Sequence, residues 1–185
     1  MVIGAGALMC FCGAIGLRVA ARARQDKTGV AKKTGGKINP AEAYRFNTLG
    51  AAYMNQQRPA DAQKYFERAL EADPSFAVAR LNLGVALLGQ QQLEPARRAL
   101  IAATEQLPND PYAWYNLGLA LKDSGEPEKG IAVFWRVTEI KPSEPDAYYF
   151  VGYLSTQIQK YDDAIAAFQK GLAATRNDFA EFFPA

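Results

Sequence analysis

The sequence predicts an all-α fold: a right-handed solenoid of four tandem 34-residue helix–turn–helix repeats, preceded by an apolar N-terminal helix. Three interleaved series predict it. Leu49-Gly50, Leu83-Gly84, Leu117-Gly118 and Val151-Gly152 recur every 34 residues. Phe66, Leu100, Phe134 and Phe168 keep the same beat, as do Ala62, Ala96, Gly130 and Ala164. Pro74, Pro108 and Pro142 close the first three units. A period of this length marks stacked helical hairpins, each of which buries its apolar side only against its neighbours.

Each unit divides into two helices. In the third, Ala113, Trp114, Leu117 and Leu121, then Ile131, Phe134 and Val137, fall at helical spacing and leave Asp123, Ser124 and Gly125 as the turn. Gly118 lacks a side chain, so the facing helix approaches its backbone closely, and Ala96 or Gly130 serves the same need on second helices. The Phe or Leu of the second helix fills the space between units. Proline at the close cannot extend the helix and fixes where the chain reverses. Pro59 and Pro127 stand in the first turn of second helices, while Pro111 and Pro145 open first helices, where a missing amide hydrogen costs little. The units span 43–76, 77–110, 111–144 and 145–178, with an apolar segment at 1–23, a basic linker at 24–42 and a short stub at 179–185.

This pattern resembles the tetratricopeptide repeat family over about three-quarters of the chain. The family's aromatic, Leu-Gly and large residue are Trp114, Leu117-Gly118 and Leu121 in the third unit, and Phe46, Leu49-Gly50 and Tyr53 in the first. Arg80 replaces the aromatic of the second unit, Ser155 the large residue of the fourth, and Arg176 its closing proline.

Composition excludes several kinds of chemistry. The chain has no histidine, and Cys10 and Cys12 both lie in the apolar N-terminal stretch, so the repeats lack the ligands of most zinc, copper and iron sites and any Cys–His or Ser–His pair. Glu126/Glu128 and Asp162/Asp163 stand at the heads of second helices, a placement that suits helix dipoles better than paired acid–base work. No enzyme activity, cofactor or metal is expected. Residues before Asn39 carry a net charge of +6 and the remainder −4. The repeats thus offer no basic face for nucleic acid.

Val2 to Leu17 is apolar and uncharged and contains four glycines, Gly4, Gly6, Gly13 and Gly16. As a helix it spans about 24 Å, and extending through Ala21 with a snorkelling Arg18 reaches membrane length. Basic residues follow the span directly, which favours an uncleaved anchor with the repeats facing the cytoplasm. A cleaved signal peptide leading to export, and a buried or disordered tail, are the alternative readings.

The family resemblance implies a concave surface lined by first helices. There it places Tyr44, Asn47, Val78, Leu81, Asn82, Val85, Tyr112, Tyr115, Asn116, Leu119, Tyr149 and Tyr153, an aromatic and aliphatic trough fit for a hydrophobic or amphipathic helix. Asn82 and Asn116 stand where the family holds a peptide backbone, or they tie neighbouring helices together. The paired basic residues of a carboxylate clamp are missing from Asn47, Ala51, Asn82, Tyr112 and Asn116. The expected function is a non-enzymatic scaffold that binds a partner helix or peptide, tethered to a membrane and aiding recruitment or assembly. Alternatives are a permanent structural subunit of a membrane-associated complex and the recognition fragment of a larger protein. Phe179, Phe182 and Phe183 have the spacing of one helical turn, so the stub is expected either to fold back over the fourth unit or to leave that end open for self-association.

Overall fold

The computed structural model describes residues 38–182, with side chains through Thr175. The apolar segment at 1–23 and most of the linker lie outside the described residues. Eight helices follow one another among those described: α1 (Pro40–Asn55), α2 (Pro59–Ala72), α3 (Ala77–Gly89), α4 (Leu93–Gln106), α5 (Pro111–Asp123), α6 (Pro127–Ile140), α7 (Pro145–Gln157) and α8 (Tyr161–Phe182). Each packs on the next along the chain, and α1 also touches α3, as α3 touches α5. The repeat region is therefore a solenoid of four helical hairpins, with the odd-numbered helices forming one row. None of the described helices is long and apolar enough to cross a membrane.

Within each hairpin, a glycine of the first helix lies against the large residue of the second. A Cβ added at Gly50 would come within 2.5 Å of the Phe66 ring, at Gly84 within 2.6 Å of Leu100, at Gly118 within 2.7 Å of Phe134, and at Gly152 within 2.6 Å of Phe168. Real Cβ atoms do not approach this closely, so hydrogen alone fits. Phe134 also reaches into the following unit, in a core shared with Val137, Ala147, Val151 and Leu154. The third and fourth hairpins meet again at Gly130, where a Cβ would lie 2.8 Å from Leu154.

The turns inside the hairpins are also in register. Gln57, Gln91, Gly125 and Gln159, spaced 34 residues apart, all take positive φ. The amide after each donates five residues back to the helix it leaves: Arg58 to Tyr53, Gln92 to Leu87, Glu126 to Leu121 and Lys160 to Ser155, at 2.9 to 3.0 Å. This is a Schellman closure, which satisfies orphan carbonyls at the cost of one left-handed residue. Glycine meets that demand once. Glutamine meets it three times, with some backbone strain.

Both ends of the repeat region depart from the expected boundaries. Asn39 caps α1 through its side chain, accepting from the Glu42 amide, so the first helix takes in three residues assigned to the linker. The fold-back of the C-terminal stub does not occur within the described residues, because α8 runs unbroken to Phe182. Where the earlier units have Asp73-Pro74, Leu107-Pro108 and Lys141-Pro142, this one has Thr175-Arg176, and nothing there stops a helix.

Candidate peptide-binding surface

Odd-numbered helices present their outward residues in rows 34 apart. The first row is Tyr44, Val78, Tyr112 and Asp146, all exposed. Next come Asn47, Leu81, Tyr115 and Tyr149; then Thr48, Asn82, Asn116 and Phe150; then Ala51, Val85, Leu119 and Tyr153. The repeat brings these residues together because helical spacing selects one face and the stacked hairpins align it.

Depth varies along the rows. Tyr44 is 67% exposed, Tyr112 64%, Tyr149 53% and Tyr153 41%. Val85 and Leu119 are partly buried against the cores below them. Leu81 departs from the expectation of a groove residue, for only 8% of its surface is exposed. It packs with Leu100, Ala103 and Leu117. Tyr115 holds the equivalent place one unit on, but a phenol hydroxyl keeps one end near water, whereas leucine has no polar tip and sinks completely.

Tyr115 and Tyr149 rest on an aromatic base. Tyr115 meets Phe134 edge-on at 5.7 Å and Phe150 at 5.9 Å, while Phe134 and Phe150 stack at 4.9 Å. Tyr149 contacts Phe150 at 5.4 Å, stacks on Tyr153 at 6.2 Å and leans on Phe168 at 6.0 Å. Such pairs contribute roughly 0.5–1.5 kcal/mol each beyond area burial and fix the rings before any partner arrives. Burial pushes the Tyr115 hydroxyl above its ordinary value, and the nearby carboxylates of Asp146 and Glu144 add to the shift.

The asparagines make structural bonds. Asn82 donates from Nδ2 to Asn47 Oδ1 at 2.9 Å, joining α3 to α1, and Asn116 donates to the Tyr112 carbonyl one turn back at 2.8 Å. Only the Asn82 bond ties two helices; the Asn116 bond stays within α5, and each uses one amide hydrogen of its donor. Among the charged residues at the heads of second helices, Glu126 pairs with Arg97 at 3.3 Å and also with Lys129. The Lys129 contact is the main cause of its lowered pKa. Arg97 also bonds Glu94 at 2.8 Å, so this cluster ties α4 to α6. Among the described residues no group of three or more His, Cys, Asp or Glu side chains is placed to hold a metal ion.

Tyr115 gives a test in alkaline solution. A phenol whose folded pKa exceeds its unfolded value of 10.0 contributes stability that is complete below the unfolded pKa and lost as pH rises through the folded one. Urea unfolding between roughly pH 8.5 and 11.5 should show a steeper loss for the native chain than for Tyr115→Phe, which has no proton to release. Parallel curves would mean that Tyr115 titrates as freely in the folded chain as in the unfolded one.

Comparison with known proteins places this geometry. Two models described as tetratricopeptide repeat match residues 53–118 and 115–179. A crystal structure of MamA is similar at a TM-score of 0.72 and 27% identity, over 76% of this chain and 82% of that one. A MamA fragment from Desulfovibrio magneticus RS-1 gives a TM-score of 0.69 at 25% identity, over 73% and 76% of the respective chains. The first TPR of Spaghetti (RPAP3), bound to the HSP90 peptide SRMEEVD, gives 0.65 at 19% identity, over 68% of this chain and 99% of that one, a likeness of fold alone. No curated protein matches the sequence. With both halves of its helical array matched by repeat models and its hairpins superposing on solved examples, the chain belongs to the tetratricopeptide repeat family.

Proposed function

We propose that this protein is a non-enzymatic scaffold that holds a hydrophobic or amphipathic partner segment against the row of odd-numbered helices. The observation that carries the reading is the exposure of Tyr44, Tyr112, Tyr149 and Tyr153 beside partly buried Val85 and Leu119, with Tyr149 and Tyr153 set on an ordered aromatic base. Rigid rings lose little entropy on contact, and a few such anchors carry most of the affinity of an interface. The family works generally through protein–protein interaction, and the RPAP3 repeat holds its HSP90 peptide in the structure named above. An acidic peptide of that kind suits this chain poorly. The basic side chain on α3, Arg80, bonds the Pro74 carbonyl, and the outward rows contain no lysine or arginine. Fluorescence anisotropy with amphipathic helical peptides should give tighter binding than with SRMEEVD, and Tyr112→Ala or Tyr149→Ala should each lose about 1–3 kcal/mol. Tighter binding of the acidic peptide, or indifference to both substitutions, would overturn the reading.

Two further elements belong to the proposal. The apolar run from Val2 to Leu17 with basic residues after it supports a membrane tether, with the repeats on the cytoplasmic side and a role in recruiting or assembling partners there. Self-association through α8 is supported by its uncovered face. Phe168 is 37% exposed where Phe66, Leu100 and Phe134 are fully buried, and Leu172 is 69% exposed where Thr104 and Thr138 are buried. Tyr161, Ile165, Phe168 and Leu172 follow 4–3–4 spacing, the seam of a helix pair. Head-to-tail stacking onto α1 is disfavoured, since Arg45 stands where α3, α5 and α7 bury Ala79, Ala113 and Ala147. A second copy's α8 is therefore the proposed occupant. The chain should pellet with membranes, and after detergent release should sediment as a dimer that Ile165→Asp with Leu172→Asp makes monomeric. Recovery in the soluble fraction with an intact N-terminus sinks the tether. A native chain that stays monomeric at high concentration sinks the self-association.

A further inference from the structure

The four outward rows of the odd-numbered helices hold sixteen positions, and fifteen of them are uncharged. The exception is Asp146, in the first turn of α7. Its row is otherwise Tyr44, Val78 and Tyr112, so a carboxylate takes the place that the earlier units give to an exposed apolar or aromatic side chain. The nearest ions in sequence are engaged with each other: Glu144 pairs with Lys141 at 2.7 Å. Asp146 forms no ion pair among the described residues. A position near the start of a helix is favourable for a carboxylate, and that placement makes Asp146 tolerable in α7 without neutralising it.

Along its own face Asp146 is followed by tyrosines. Tyr149 lies one turn on along the same face and is 53% exposed, with Tyr153 stacked on it a turn further. Tyr115, across on α5, meets Phe150 at 5.9 Å as Tyr149 does at 5.4 Å, so the two tyrosines flank one ring, and the Asp146 charge raises the Tyr115 pKa. A fixed carboxylate beside accessible tyrosine faces attracts one kind of ligand group. Ring quadrupoles and the anion both favour a cation, and both disfavour a carboxylate or phosphate.

We propose that the partner segment carries a lysine or arginine that docks between Asp146 and the Tyr115–Tyr149 rings, its apolar residues lying along Val85, Leu119 and Tyr153. This deepens the scaffold reading and rests on it. One charge at one end of an otherwise neutral surface also fixes the direction in which the segment lies, because only one orientation brings its cation to α7. The same charge repels acidic tails, which gives the groove selectivity by rejection as well as by attraction.

The test uses the full chain in detergent, panned against displayed 16-mer peptides with all positions random. Anisotropy then follows one enriched peptide made with lysine, norleucine or glutamate at the selected position. Enriched sequences should share a lysine or arginine at fixed spacing from apolar residues. Norleucine should weaken binding about ten-fold and glutamate further. Asp146→Asn should weaken the lysine peptide by a similar factor and leave the norleucine peptide unchanged, whereas Asp146→Lys should favour glutamate. Enrichment without a basic preference, or equal loss of both peptides on Asp146→Asn, overturns the inference. If in that case Tyr149→Ala still weakens binding, the scaffold reading stands alone. No enrichment at all, or no effect of Tyr149→Ala, removes both.

Discussion

The architecture depends on one contact made four times, a glycine on the first helix of a hairpin against a large apolar side chain on the second. Gly50–Phe66, Gly84–Leu100, Gly118–Phe134 and Gly152–Phe168 leave no room for even a methyl group. Close approach within the hairpin lets the same large residue extend past its own unit, as Phe134 does toward Val151 and Leu154. One side chain thereby joins the intra-hairpin and inter-hairpin packing. Because both are set by it, the period of the sequence becomes the period of the stack, and everything on the outward face inherits that spacing.

The inheritance also sets how residue types are distributed over the outward face. Positions 34 residues apart lie side by side, so a change of residue type along a row reads as a change along the surface. Toward α7 three of the four rows end on an aromatic, Tyr149, Phe150 and Tyr153, while the fourth ends on Asp146. There the rings continue inward as one network through Phe134, Phe150 and Phe168. Tyr149 is thus held on several sides by rings of the chain itself. Phe168 takes part in that network while still partly exposed, because no described helix covers α8 as α7 covers α6.

Much of the fold was legible in the sequence, because glycine, proline and large apolar residues each act through sterics that a spacing reveals. Features that depend on depth or on unmarked backbone were not. Gln57, Gln91 and Gln159 adopt the conformation that Gly125 advertises, yet glutamine gives no sign of a left-handed turn, and only their common register could have suggested it. Leu81 belongs to the same row as Tyr115, and periodicity alone does not say that the shorter, wholly apolar residue sinks into the core. The continuation of α8 followed from Arg176 in the place of a proline, a departure visible in advance whose consequence is that the helix does not stop. Asn82 shows the opposite case: the register located it, but its bond to Asn47 depends on two residues 35 apart, off the beat.

The interlock of glycine and ring is tested most directly by urea unfolding of Gly118→Ala in two backgrounds. In the native background the added methyl collides with Phe134 and should destabilise the chain by about 1–3 kcal/mol. In a Phe134→Val background the distal ring atoms are gone, and the same substitution should become neutral or stabilising by up to about 1 kcal/mol through helix propensity. An equal effect of Gly118→Ala in both backgrounds would show that the two residues do not constrain each other, and would contradict the account.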